Sequence, residues 1–105
     1  MENKLLQIIS HYGIDKQLKY IHSEYFELDE AIINAEQFHP KSMIQLNASI
    51  KNYINHIAEE LADVMVMLKQ FQYYYGIEDK QIEDVMNYKI DRQLDRIEKE
   101  NSNEC

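Results

Sequence analysis

Glycine and proline are almost absent from this chain, and their few positions divide it into long segments. Among 105 residues there are two glycines, Gly13 and Gly76, and one proline, Pro40. Tight turns depend on these two residue types, whereas the interior of a helix disfavours both. The sequence therefore predicts an all-α protein, built from a few long helices that are separated at these three points.

Apolar residues recur in steps of three and four within each segment, which is the spacing of one helix face. We expect a first helix over about 3–12, a second over about 16–37, a third from Ser42 onward and another after Gly76. The third is either one helix of about thirty residues or two stacked pieces with a joint near 52–55. The predicted fold is a helical bundle of four to five helices with a long central helix.

The apolar seams of the two long helices predict how they pack. The expected seam of the second helix consists of Leu18, Ile21, Tyr25, Leu28, Ile32 and Ala35. That of the third helix consists of Met43, Leu46, Ile50, Ile54 or Tyr53, Ile57, Leu61, Val64, Leu68 and Phe71. Further apolar residues on the other faces of the third helix indicate that it is buried on more than one side. We therefore expect a homo-oligomer, either a homodimer or a homotetramer.

Length and composition limit the possible classes of protein. The chain fits a single domain over 1–105, with its core at about 12–97 and a polar C-terminal tail over 98–105. The net charge of −8 disfavours nucleic acid as a partner. The longest apolar run is too short to cross a membrane, and the N-terminus does not resemble a signal peptide. With a lone cysteine and no internal disulfide, the chain is predicted to be cytoplasmic.

Two pairs of acidic residues with the same spacing interrupt the apolar helices. Glu24 and Glu27 belong to the second helix, and Glu60 and Asp63 to the third. Residues three apart share a helix face, and each pair lies to the same side of its seam. Antiparallel packing can therefore bring the four carboxylates together at one edge of the core. Two carboxylates 4 Å apart repel by about 4 kcal/mol at an effective dielectric constant of 20, so four require protons, basic partners or cations.

A divalent metal ion is one way to neutralise these acids, and other interpretations remain open. All four candidate ligands are oxygens, which suit Mg²⁺ or Mn²⁺ better than zinc. The acids could instead be ordinary solvated helix flanks. A ferritin-like di-iron site requires two Glu-x-x-His motifs on inward faces. The only such motif, Glu36 to His39, runs into Pro40.

Around these acids the sequence resembles the MazG-like, all-α nucleoside triphosphate pyrophosphohydrolases. That family carries Glu-Glu-x-x-Glu on one helix and Glu-x-x-Asp on the next. Glu24-Tyr-Phe-Glu27 and Glu60-Leu-Ala-Asp63 match this pattern, and 12–18 and 88–92 are similar to family segments beside it. Two features depart from the family. Ser23 stands where the first glutamate is frequent, and the interval between the two motifs is longer than usual.

The resemblance implies a Mg²⁺-dependent enzyme that hydrolyses a nucleoside triphosphate to the monophosphate and pyrophosphate. The implied catalytic and metal-binding residues are the four acids, whose metal would bridge phosphate oxygens and lower the pKa of a water molecule. Lys89, Arg92 and Arg96 share a helix face and could neutralise the triphosphate, or they pair with nearby acids. Gln17 and His56 share the faces of Glu24 and Glu60 and are further candidate substrate contacts, or ordinary polar residues of their helices. The alternative is a catalytically weak or inactive helical interaction protein with an acidic surface.

Overall fold

The computed structural model of the protein describes residues 1–103, which form four α-helices and contain no strand. The helices are α1 (Glu2–Tyr12), α2 (Ile14–Glu36), α3 (Met43–Tyr74) and α4 (Asp79–Asn103). The predicted all-α class is confirmed. The long central helix is confirmed too, because α3 runs through 52–55 without a joint and has 32 residues. The chain divides into two compact units, of which Met1–Tyr74 holds α1 to α3 and the second, beginning at Tyr75, holds α4.

The breaks between helices fall where the sequence predicts them. Gly13 has φ 88° and Gly76 has φ 69°, a region of backbone conformation that favours glycine. The Gly13 N–H donates to the carbonyl oxygen of Ile9 at 2.8 Å and so closes the end of α1. At the start of α3 the Gln45 N–H donates to Ser42 Oγ at 3.1 Å, which is the contact of a helix N-cap.

In the first unit α3 packs against both α2 and α1, and α1 also contacts α2. The face that α2 turns inward differs from the predicted seam. Leu18, Tyr25 and Ile32 are exposed, although the sequence places them in the core. The residues that α2 buries are Gln17, Ile21, Glu24 and Ala31, and of these only Ile21 belongs to the predicted seam. The inward face differs from the expected one because two of its positions, Gln17 and Glu24, carry polar side chains. A prediction from apolar spacing does not include such positions.

The same displacement occurs on α3. Its buried residues are Val64, Met67, Gln70, Gln72 and Tyr73, and of these only Val64 belongs to the predicted seam. Much of that predicted seam is 44% to 69% exposed and lies beside the inward face. We call these exposed positions, together with Met65, the outer stripe: Met43, Ile50, Ile54, Leu61, Met65 and Leu68. The long helix therefore has one apolar face inside the unit and another at the surface.

The second unit consists mainly of α4, and no residue of this helix is buried. Its apolar face is about half exposed at Met86, Ile90 and Leu94. The helix continues to Asn103, so the predicted polar tail is helical over 98–103, and its last two residues, 104 and 105, lie outside the described residues. A single domain over 1–105 stays a prediction. No helix within 1–103 is both long enough and apolar enough to traverse a bilayer.

Candidate metal centre

The four acids singled out in the sequence come together where α2 faces α3. One carboxylate oxygen from each side chain lies within 4.8 Å of the corresponding oxygens of the other three. We call this group the acid cluster: Glu24, Glu27, Glu60 and Asp63. Four carboxylates at such separations could hold a metal ion. The predicted convergence is confirmed, while the roles of these residues as ligands and in catalysis stay predictions.

A single antiparallel register between α2 and α3 explains the convergence. The Gln17 side-chain amide donates to Gln70 Oε1 at 2.8 Å, which fixes one pair of facing residues. Seven residues forward along α2 from Gln17 is Glu24, and seven residues back along α3 from Gln70 is Asp63. A further step of three on each helix leads to the remaining pair of acids. Steps of seven and three stay on one helix face. The register set by Gln17 and Gln70 therefore also places Glu24 opposite Asp63 and Glu27 opposite Glu60.

The members of the acid cluster differ in burial. Glu24 is only 6% exposed, and Glu60 is partly buried. Glu27 and Asp63 are exposed. The sequence places all four at the edge of the core. Glu24 lies deeper than that, because the inward face of α2 passes through it. The cluster thus extends from the interior of the unit to its surface.

Two carboxylate oxygens in the cluster have no hydrogen-bond partner. Glu24 Oε2 and Glu60 Oε2 are both buried and unpaired. A buried polar atom without a partner costs roughly 1–3 kcal/mol, and more when it is charged. A bound cation would satisfy both oxygens at once. The set of ligands therefore fits a divalent metal: it consists only of oxygens, and part of it is buried without any other partner.

The electrostatics of Glu60 reflect the same crowding. Burial raises its pKa, and the charge of Glu27, a hydrogen bond with the Glu27 carboxyl and the charge of Asp63 raise it further. His56 acts in the opposite direction, so its imidazole lies close enough to affect Glu60, although its side chain is exposed. Without a cation, burial and the neighbouring acids therefore favour the protonated form of Glu60.

Tyr20 links the acid cluster to the cavity beside it. Hydrogen bonding with the Glu24 carboxylate is the first cause of a raised Tyr20 pKa, followed by the charge of Glu24. Tyr20 also lines a cavity of about 180 Å³, together with Glu24, Asp63, Val66 and Met67. The cluster therefore borders open space in which another molecule can reach two of its acids.

The predicted substrate contacts other than His56 lie outside the acid cluster. Gln17 is 5% exposed and pairs with Gln70, so it is part of the packed contact between the helices. Lys89, Arg92 and Arg96 are exposed on α4, in the second unit, and their contact with a substrate stays a prediction.

Gln70 is a buried polar residue that the apolar spacing of α3 does not predict. Its side chain is 1% exposed, one of the most buried in the chain. The available signal was its spacing of seven residues from Asp63, which mirrors the spacing of Gln17 from Glu24. Matching polar steps on two antiparallel helices would have predicted the pair.

The likeness to MazG-like enzymes rests on two short acidic motifs and the segments beside them. The meeting of those motifs in space is a separate, geometric finding. No protein-family model, curated protein or solved structure matches this chain.

Proposed function

We propose that the protein is a Mg²⁺-dependent nucleoside triphosphate pyrophosphohydrolase, which converts a nucleoside triphosphate and water to the monophosphate and pyrophosphate. The observation that carries this proposal is the acid cluster with its two buried, unpaired oxygens. A set of oxygen ligands suits a hard cation, and Mn²⁺ is the chemically closest substitute for Mg²⁺. The resemblance of the two motifs to the family supplies the choice of reaction.

The proposed roles of the four acids follow from how deeply each is buried. Glu24 and Glu60 would hold the cation from the buried side of the cluster, and Glu27 and Asp63 from its exposed side. The Tyr20 hydroxyl, whose pKa is raised by the Glu24 carboxylate, would orient Glu24. When bound, Mg²⁺ supplies charge neutralisation for phosphate oxygens and lowers the pKa of a water molecule. Positioning and charge neutralisation account for most of the catalysis in such a reaction.

The proposal also assigns substrate contacts to three basic side chains and to one histidine. Lys89, Arg92 and Arg96 follow one another at intervals of three and four, so they share a face of α4. All three are exposed, and we propose that they neutralise phosphate charge. His56, beside Glu60, is proposed as a further substrate contact.

The proposed active form is a homo-oligomer, a dimer or a tetramer. This proposal is supported by the outer stripe, whose six apolar side chains are 44% to 69% exposed along a single helix. Contiguous apolar surface of this kind marks interaction sites in soluble proteins. A second copy of the chain is the simplest cover for it.

Metal binding can be tested by thermal unfolding with and without Mg²⁺. A ligand at a hundred times its dissociation constant adds about 2.7 kcal/mol, which raises the melting temperature of a domain of this size by roughly 10 to 20 °C. Glu60→Gln and Asp63→Asn should remove this shift, because each neutralises one ligand. The matched control is Glu59→Gln, since Glu59 is exposed beside Glu60 and lies outside the acid cluster.

The reaction is tested with a panel of common and modified nucleoside triphosphates, scored for pyrophosphate against orthophosphate. We expect pyrophosphate from the wild type and from Glu59→Gln, and none from Glu60→Gln or Asp63→Asn. Unchanged turnover in both cluster variants would overturn the site assignment. A Mg²⁺ shift without turnover of any triphosphate would instead favour the inactive interaction protein.

A further inference from the structure

We propose that a second, larger cavity beside the acid cluster binds the base of the nucleotide, with two buried glutamines contacting the edge of the base. This inference deepens the proposed function and rests on it for the identity of the ligand. The cavity measures about 410 Å³, within the range of small-molecule sites. It lies in the first unit and is lined by residues from α1, α2 and α3.

The larger cavity adjoins the space next to the acids. Tyr20, Val66 and Met67 line both cavities. A ligand seated in the larger cavity can therefore extend past Tyr20 to Glu24 and Asp63. This arrangement suits a molecule with a flat, largely apolar part at one end and a polyanionic part at the other, which describes a nucleoside triphosphate.

The lining of the larger cavity combines aromatic and amide groups. Tyr12 and Tyr20 are about half exposed and line its open side. Gln17 and Gln70 are 5% and 1% exposed, so their amides belong to its buried side. Stacking on aromatic rings combined with hydrogen bonds to a base edge is how proteins hold an unpaired nucleobase.

The two amides are held in place and retain hydrogen-bonding capacity. Gln17 Nε2 donates to Gln70 Oε1 at 2.8 Å, so the Gln17 carbonyl oxygen is oriented away from that bond. Gln70 Nε2 donates to Met67 Sδ at 3.7 Å, and a thioether is a weak acceptor. A carbonyl oxygen of a base would be a better acceptor for this N–H. The pair thus offers one acceptor and one donor, which complements the mixed edge of a nucleobase.

A positive charge lies on the same cavity. Lys16 lines it, and its Nζ is 5.0 Å from the centre of the Tyr12 ring. In a chain with a net charge of −8 this lysine favours a ligand that carries phosphate. A purely apolar ligand would gain nothing from it.

The first measurement is nucleoside binding, because a nucleoside has no phosphate and does not need the metal. Adenosine, guanosine, cytidine, uridine and thymidine are added in turn to isotope-labelled protein in the presence of a chelator. We expect at least one of them to shift the side-chain amide signals of Gln17 and Gln70 in nuclear magnetic resonance spectra. If none moves these signals, the proposal is overturned, whether or not triphosphates are hydrolysed.

The second measurement separates the base from the phosphates. Tyr12→Leu should raise KM for the matching triphosphate by roughly fivefold or more, the loss expected when one base–aromatic stack is removed. It should leave the inhibition constant of inorganic tripolyphosphate unchanged. Tyr25→Leu is the control, since Tyr25 is exposed on α2 and does not line the cavity, and both constants should stay the same.

The outcomes distinguish this inference from the proposed function. If nucleosides bind and no triphosphate is hydrolysed, the cavity assignment holds and the enzymatic proposal fails. Suppose instead that triphosphates are hydrolysed, and that Tyr12→Leu either raises the KM of the triphosphate and the inhibition constant of tripolyphosphate equally or changes neither. The cavity assignment then fails and the enzymatic proposal holds.

Discussion

At the scale of single residues, the pKa of Glu60 makes stability depend on pH in a definite direction. Burial and the neighbouring acids raise this pKa above its ordinary value of 4.5. Between the ordinary and the raised value the folded protein binds more protons at Glu60 than the unfolded chain. The contribution of Glu60 to the free energy of unfolding therefore falls as pH rises through that interval, and stays lower above it.

Replacing Glu60 with an uncharged isostere tests this direction. In the presence of a chelator, we expect the free energy of unfolding of the wild type to fall relative to that of Glu60→Gln as pH rises from about 4.5. Urea unfolding of both proteins across a pH series measures the difference, and Glu59→Gln serves as the reference for removing a charge nearby. A difference that stays constant from acid to neutral pH would contradict the assigned cause.

The hydrogen bond between Gln17 and Gln70 provides a second prediction at this scale. Gln70→Leu should cost about 1–3 kcal/mol, because it leaves the buried Gln17 amide without its partner. Replacing both glutamines with leucine should recover most of that loss, since no buried polar group then remains unpaired. Urea unfolding of the two single variants and the double variant measures this. Losses that simply add would show that the hydrogen bond does not couple the two residues.

At the scale of helices, the sequence was sufficient to place the breaks and insufficient to orient the faces. Gly13, Pro40 and Gly76 mark the breaks, since few residues other than glycine adopt positive φ and proline interrupts the backbone hydrogen bonds of a helix. The inward faces could not be taken from apolar spacing, because Glu24 and Gln70 occupy core positions. The acid pairs were nevertheless found, since two matched spacings on antiparallel helices do not depend on which face is buried.

The N-cap of α3 leads to a prediction about this element alone. Ser42→Ala removes the acceptor of the Gln45 N–H and should cost about 1 kcal/mol of local helix stability. The loss should increase hydrogen exchange of the Gln45 and Leu46 amides by roughly fivefold. Ser23→Ala, at an exposed position within α2, is the matched control and should leave those amides unchanged. Equal exchange in both variants would argue against the cap.

At the scale of the whole molecule, the distribution of apolar side chains favours association. Small domains bury a modest share of their surface and are correspondingly marginal. Here the outer stripe leaves large side chains such as Leu61 and Met65 about half exposed. Covering this stripe with a second copy would add apolar burial at about 25 cal/mol per Å². The same association would explain why α3 is apolar on two sides.

Charge introduced into the outer stripe tests both association and the completeness of the metal site. If the proposed oligomer forms through the outer stripe, Leu61→Glu combined with Leu68→Glu should convert it to a monomer in sedimentation equilibrium, because the two carboxylates would be buried at the proposed interface. Asn52→Glu combined with Asn55→Glu adds the same charge at exposed positions on another side of α3 and should leave the mass unchanged. All four acids of the cluster come from α2 and α3 of one chain, so the monomer should keep its thermal shift with Mg²⁺. Loss of the thermal shift together with dissociation would mean that a second subunit completes the metal site. A wild-type protein that is monomeric at every concentration would rule out the proposed interface.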